Sequence, residues 1–390
     1  MNIALLSGSF LPTLGGAEVV VDSLAKEFVK KGHNVTVFTE TLTDKQDYEC
    51  NFDYDVYRFP YNAKYCMLQK NITNVFNKKM LLFKPDVIHS FLCGCSDWMG
   101  IKYGKKYNIP TFFTAQTNWK YIYQQRSPFK NNPLLNKMYV NALLTGPAKF
   151  IKNVDYTTSV CKSVVCSQSE LWGDRIKDNV VIYNGYDKEL MNNKVCEDYI
   201  DIKNDNVFKL CYAGRISDEK NLLFSFRVCK ELKKRNKTFV FYLAGSGKIA
   251  EYQQMACNLN IEDNVRFLGR LGLDELSVLY NNSDVFLFPS VFDCDSIACI
   301  ESRLCGCPTL CIKNTGTSER IINGQNGWAL NDEINDFVDK IIELIYMKNN
   351  KNDEYNAIRL RTTSTNVDSW STVADKYLDL YQKTIGKNNL

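Results

Sequence analysis

Three stretches of the chain gather residues able to hold an anion or a hydroxylated ligand. The first, running from Ser7 to Glu18, sets Gly15-Gly16 directly before an amphipathic run, so backbone N–H groups and a helix N-terminus can meet an anion there. Turns are also glycine-rich for steric reasons, so this stretch alone has low specificity. The second, Gly214-Arg215-Ile-Ser-Asp-Glu-Lys220-Asn221, places two cations between an apolar run and a helical pattern. Two such cations can neutralise a diphosphate as its bond to a sugar breaks. Equally, they can be surface residues pairing with Asp218 and Glu219. The third runs from Asp293 through Ser296-Ile297-Ala298 to Glu301, with its two outer acids eight residues apart at a strand-to-helix turn. That spacing puts one carboxylate on the loop and the other a turn or two into the helix. Both can then accept hydrogen bonds from hydroxyls of one ligand, such as a sugar or a ribose.

The elements that must position these stretches follow from alternating patterns. Strand-like runs at Asn2–Leu6, Asn34–Phe38, Val87–Phe91 and Thr111–Thr114 are separated by helical ones such as Glu18–Lys31. The pattern restarts with strands at Phe208–Ala213, Phe239–Ala244, Val265–Leu268, Val285–Phe288 and Thr309–Ile312, and with a helix over Leu222–Lys234. This predicts two α/β units, each a parallel sheet covered by helices on both faces, with ligands held beyond the carboxyl ends of the strands. The polar stretch after Val181–Asp187 marks the junction. The expected division is residues 1–187, residues 188–368, and a terminal segment 369–390 carrying an amphipathic helix over Val373–Tyr381.

At 390 residues, with 45% hydrophobic and 24% charged content, the chain exceeds what one core usually organises. The first residues read as a buried strand with no basic leader, and no run approaches the ~18 apolar residues that span a bilayer. The expected location is cytoplasmic. The fifteen cysteines lack zinc-knuckle spacing, there are two histidines (His33 and His89), and free thiols packed as small hydrophobes are expected. Residues 1–190 hold 23 basic and 17 acidic side chains, and from Trp98 to Ser169 ten basic residues face one acid, Asp155. Trp119, Tyr121, Phe129, Leu134, Leu135 and Met138 interleave with them, a mixture suited to an anionic membrane surface or a nucleic acid, or simply to a solvated lysine-rich face.

These features together resemble the retaining glycosyltransferases of family 4, of the GT-B fold. The resemblance is carried by Gly15-Gly16, the Gly-Arg…Glu-Lys-Asn window, Ala244-Gly-Ser-Gly247, Val265-Arg-Phe-Leu-Gly269, Pro289-Ser290 and the Asp293…Glu301 pair. It implies two Rossmann-like domains facing across a cleft, with a terminal helix crossing back to the first. It further implies that Gly214, Arg215 and Lys220 hold a donor diphosphate and that Glu301 holds the ribose. Asp293 would contact the transferred sugar, and the amides around Ser296, Ile297 and Ala298 would meet a phosphate or hydroxyl. Gly15 and Gly16 would close over the donor from the other domain. The implied reaction moves a hexose-type sugar from a UDP- or GDP-linked donor to a glycan or lipid-linked acceptor, with no divalent metal and no nucleic-acid partner. The leaving phosphate would serve as the base.

The chain departs from the family pattern at three places. The first acid of the pair is usually Glu and here is Asp293. The common Phe-Gly after it is Asp295-Ser296. Where a histidine often stands near the reacting carbon there is Gln116, which can donate a hydrogen bond but cannot carry a proton. These departures motivate an alternative, a non-catalytic nucleotide-sugar-binding protein, and the shared architecture admits a sugar-nucleotide epimerase. Asp293-Cys-Asp295 has the form of a Mn²⁺-binding pair, but its place inside the acid pair argues for sugar contact. Gly245-Ser-Gly-Lys248 falls short of a P-loop because residue 242 is Tyr and no Ser or Thr follows Lys248.

Overall fold

The computed structural model describes the chain apart from residues 13–14, 42–51, 61–69, 174–178, 188–201, 203–206, 292, 364–366 and 389–390. The chain divides into two compact units, one made of Met1–Gly185 with Asp368–Leu390 and one of Tyr186–Val367.

In the first unit the elements are β1 (Asn2–Ser7), α1 (Gly16–Lys30), β2 (Asn34–Thr41), β3 (Asp55–Pro60), α2 (Lys70–Phe83), β4 (Val87–Ser90) and α3 (Cys95–Tyr107). They are followed by β5 (Thr111–Ala115), α4 (Trp119–Arg126), α5 (Pro133–Asn153), β6 (Tyr156–Ser159), α6 (Lys162–Trp172) and β7 (Val180–Val181). The seven strands pair in parallel in the order β3-β2-β1-β4-β5-β6-β7. Strands β1, β4 and β5 are buried along almost their whole length, as a sheet covered by crossover helices requires.

The second unit runs β8 (Phe208–Ala213), α7 (Leu222–Lys234), β9 (Phe239–Ala244), α8 (Ile249–Asn258), β10 (Val265–Gly269), α9 (Leu273–Asn281), β11 (Val285–Phe288) and α10 (Ile297–Leu304). It continues with β12 (Thr309–Ile312), β13 (Gly327–Leu330), α11 (Ile334–Asn350) and α12 (Asn352–Thr363). Its parallel sheet has the order β10-β9-β8-β11-β12-β13, so the strand order reverses between β8 and β11. The reversal places the loops after β8 and β11 side by side, where doubly wound sheets open a crevice for ligands.

The last helix, α13 (Trp370–Asn388), returns to the first unit and packs on α1. It is pinned there by a buried polar chain. The His89 ring bonds the Tyr381 hydroxyl on one side and the Thr114 hydroxyl, at 2.7 Å, on the other. Thr114 in turn meets Tyr377 at 3.1 Å and Thr158 at 2.6 Å. Burial holds the His89 pKa down to about 3, so the ring is neutral and acts as a fixed donor–acceptor. Among the described cysteines most are free thiols, but Cys95 is disulfide-bonded. The expectation of thiols throughout therefore needs correction at that position. Cys95 is the first residue of α3, outside the apolar strand runs in which the thiols are expected to pack.

Candidate active site

In the second unit, β8 delivers Gly214 and Arg215, and a short turn of helix, Asp218–Lys220, leads into α7. This loop lies tightly on the one after β9. Ile216 accepts from Lys248 N–H and donates to Ser246 C=O, both at 2.9 Å, and a Cβ added to Gly245 would stand 1.8 Å from the Gly214 carbonyl oxygen. With φ of +146°, Gly245 also occupies backbone space that side chains avoid. The Ala-Gly-Ser-Gly motif is thus needed to let the two loops touch.

Asn221, in the left-handed conformation, bonds through its side-chain amide to the Pro289 carbonyl at 3.2 Å and so ties the cationic loop to the acidic loop after β11. The consequence is a contact between two of the expected site residues. Lys220 Nζ lies 2.5 Å from Asp293 Oδ1, with each side chain 21% exposed. Lys220 therefore pairs across the loops with Asp293. Its neighbour Asp218 instead bonds Lys248 at 2.9 Å and the Tyr252 hydroxyl at 3.0 Å. Arg215 is exposed and, among the described residues, has no ion-pair partner, while its carbonyl accepts from the Tyr212 hydroxyl at 2.9 Å. The second oxygen of Asp293, Oδ2, is buried with no hydrogen-bond partner, and so is the hydroxyl of Ser217.

Asp293 stands on the loop, and Glu301 stands in the second turn of α10, whose N-cap is Ser296. The first-turn amides of Ile297 and Ala298 have no partner inside the helix and add its positive end to the loop. Glu301 accepts from the Tyr280 hydroxyl at 3.3 Å, and burial raises its pKa to about 7. A carboxyl group this desolvated, bonded so sparingly, is suited to take hydroxyl hydrogens from a ligand. Asp295 meets Arg320 at 3.0 Å and is almost fully buried, so the two acids of the Asp-x-Asp sequence are each held by a different cation. Among the described residues no group of three metal-ligating side chains comes together.

In the first unit, Gly15 is the N-cap of α1, and Glu18 folds back so that a Cβ on Gly15 would meet its Oε2 at 2.4 Å. The chain's own carboxylate thus lies over Gly15, whereas the space beside Gly16 is open. Gln116 directly follows β5, and its side-chain Nε2 is buried without a partner. Sequence reasoning missed Tyr280, Arg320 and Ser217. The first two reach the site from 21 and 25 residues away, and no local spacing marks them.

Two parallel-sheet units of this kind, with cation, carboxylate and helix-start loops gathered at a strand-order reversal, define the GT-B class of sugar transferase. Residues 14–190 match the family model Glycosyltransferase Family 4, and residues 200–360 match Glycosyl transferases group 1. The chain belongs to the family-4 glycosyltransferases. It is 26% identical to an uncharacterized glycosyltransferase of Methanocaldococcus jannaschii, covering 98% of both chains. It is 24% identical to the alpha-monoglucosyldiacylglycerol synthase of Streptococcus pneumoniae, over 80% of this chain and 70% of that protein. The structure of Anabaena HepE in complex with UDP and glucose matches with a TM-score of 0.77 at 16% identity, covering 98% of this chain and 99% of the other.

Proposed function

We propose that this glycosyltransferase moves a hexose from a UDP- or GDP-linked donor to a hydroxyl of a glycan or lipid-linked acceptor, retaining the anomeric configuration and using no divalent metal. The observation that carries the reading is the Lys220–Asp293 contact with the buried second oxygen of Asp293 left unpartnered. A cation and a carboxylate with spare acceptor capacity, adjacent at the mouth of a helix, match a phosphate and a sugar hydroxyl adjacent in one ligand. Arg215 and Lys220 take the diphosphate, with Gly214 giving it room, and the Ser296, Ile297 and Ala298 segment adds backbone donors. Asp293 takes a sugar hydroxyl and Glu301 takes the ribose. In the reaction the bond from the anomeric carbon to the diphosphate oxygen breaks and a bond to the acceptor oxygen forms on the same face. The acceptor proton passes to the departing phosphate. The cations stabilise the charge that grows there, which removes the need for a side-chain base or a metal. The diacylglycerol named for the pneumococcal relative and the UDP and glucose held by HepE support a lipid or glycan acceptor and a uridine donor.

Incubating the protein with labelled UDP- and GDP-hexoses and an acceptor extract, with and without EDTA, tests this reading. Retained anomeric configuration by NMR and full turnover in EDTA are expected. An epimerised donor, an inverted product, a strict metal requirement or binding without turnover overturns it.

A further inference from the structure

The N-terminal third of α5 exposes large apolar side chains beside lysines, on a helix that contains no acid. Asn132 caps it, accepting from Leu135 N–H at 3.1 Å, with Pro133 at the first helical position, so the helix start is sharply fixed. The residues that bury it on the core, Val140, Leu144, Pro147, Phe150 and Ile151, form a stripe at helical spacing that begins only in its second turn. Before that stripe the helix stands clear of the core. Leu134 is 69% exposed and Met138 is 61% exposed, and Leu135 and Phe129 are exposed beside them.

The charges on this surface have one sign. Lys130, Lys137, Lys149 and Lys152 are exposed and have no ion-pair partner among the described residues, and helix α5 contains no acid. Lys120, by contrast, already faces Glu170 at 3.3 Å, and the Arg126 side chain lies outside the described residues. An apolar ridge this exposed, flanked by unneutralised lysines, has the composition of a surface that enters a negatively charged lipid interface. A protein partner able to cover it would need acids opposite every lysine and an apolar pocket opposite Leu134 and Met138. A bilayer containing anionic lipids supplies both without any fitted shape.

We infer that the first two turns of α5, with Phe129 and Lys130, form a docking surface for anionic lipid bilayers. Leu134, Leu135 and Met138 enter the headgroup layer while Lys130 and Lys137 meet the phosphates. The inference stands independently of the transfer reading, and its test uses no sugar donor, so either can fail alone.

The test is co-sedimentation of the full chain with phosphatidylcholine vesicles made with and without phosphatidylglycerol. Binding is expected with the anionic vesicles, and it should weaken as salt shortens the Debye length below about 10 Å. Each lysine replaced by glutamine should lower the partition about fivefold. The triple variant Leu134→Ser, Leu135→Ser, Met138→Ser should lose binding with a nearly unchanged thermal midpoint, because Leu134 and Met138 are largely in water and Leu135 is partly so. Lack of wild-type binding at low salt, equal binding to neutral vesicles, or undiminished binding by the triple variant overturns the inference. So does a wild-type dimer that the triple variant converts to monomer without loss of vesicle binding, since a second copy would then be the occupant.

Discussion

Lys220 and Asp293, 73 residues apart in sequence, meet at 2.5 Å in the loops after β8 and β11. The ion pair is formed before any ligand arrives, so the ammonium that would meet a phosphate already has its orientation set. A partly exposed pair of this kind contributes little to stability, about 0–1 kcal/mol. Its value lies in preorganisation.

Replacing Lys220 or Arg215 by alanine should therefore leave the thermal midpoint nearly unchanged and weaken donor use strongly. Removing one charged partner of a desolvated diphosphate costs about 2–5 kcal/mol, a loss of at least tens-fold in kcat/KM. Steady-state kinetics with the preferred donor, alongside thermal melts, would check both halves. Near-wild-type kinetics in both variants would remove these residues from the site.

Donor binding should strengthen as pH rises through about 7, because burial raises the Glu301 carboxyl to that range and the ionised form is the better acceptor for ribose hydroxyls. In Glu301→Gln this dependence should vanish and the affinity should fall to or below the low-pH value of the native chain. Calorimetric titration with UDP and GDP from pH 6 to pH 8 measures it. A pH response that persists in the variant would assign it to another group.

A second buried carboxyl shapes stability instead. Asp97 accepts from Gly94 N–H at 3.0 Å and Leu92 N–H at 3.3 Å, and Glu40 accepts from Cys95 N–H at 2.6 Å and Ser96 N–H at 3.1 Å. Burial, then the nearby Glu40, raise Asp97 to about 7. Between the ordinary carboxylate range and about 7 the folded chain binds a proton that the unfolded chain does not, so stability falls as pH rises through that window. Asp97→Asn gives up a backbone acceptor and the proton together. It should lose more stability at pH 5 than at pH 8, as denaturant melts at the two pH values would register.

Removing the residues after Asn366 should expose the apolar face of α1 and strand His89 without its Tyr381 partner. Tyr381→Phe isolates the second effect. Leaving a buried ring nitrogen unpartnered costs about 1–3 kcal/mol, visible as a lower thermal midpoint in a chain that still folds. A soluble, fully active truncation would show that α13 is dispensable.

Most of the strands legible in the sequence are buried on both faces, with the edge strand Val265–Gly269 an exception. Phe208–Ala213, Phe239–Ala244, Val285–Phe288 and Thr309–Ile312 fall within the same bounds in the structure because an unbroken apolar run has one place to go in a parallel sheet. Strands β3, β6, β7 and β13 gave no comparable signal. β3 lies at the sheet edge and ends in Pro60, β6 reads Tyr-Thr-Thr-Ser, β7 has two residues, and β13 begins with Gly327. Their pairing is decided by neighbours in the sheet. The site divides the same way. Arg215, Lys220, Asp293 and Glu301 stand at strand ends that local pattern locates, whereas Tyr280 and Arg320 arrive from other helices and turns. That Lys220 would choose Asp293 over Asp218 depended on the Asn221–Pro289 bond between loops, which no local spacing encodes.

The first unit is discontinuous in sequence, and that has a consequence for synthesis. Its final helix is made only after all of Tyr186–Val367 has been synthesised. Until then His89 and the apolar face of α1 await a partner, and Gly185 lacks the Trp370 backbone that closes against it at 2.8 Å from a Cβ position. The second unit, contiguous in the chain, can complete its own core first. The N-terminal half therefore finishes folding last, and truncated translation products carry an open groove where α13 belongs.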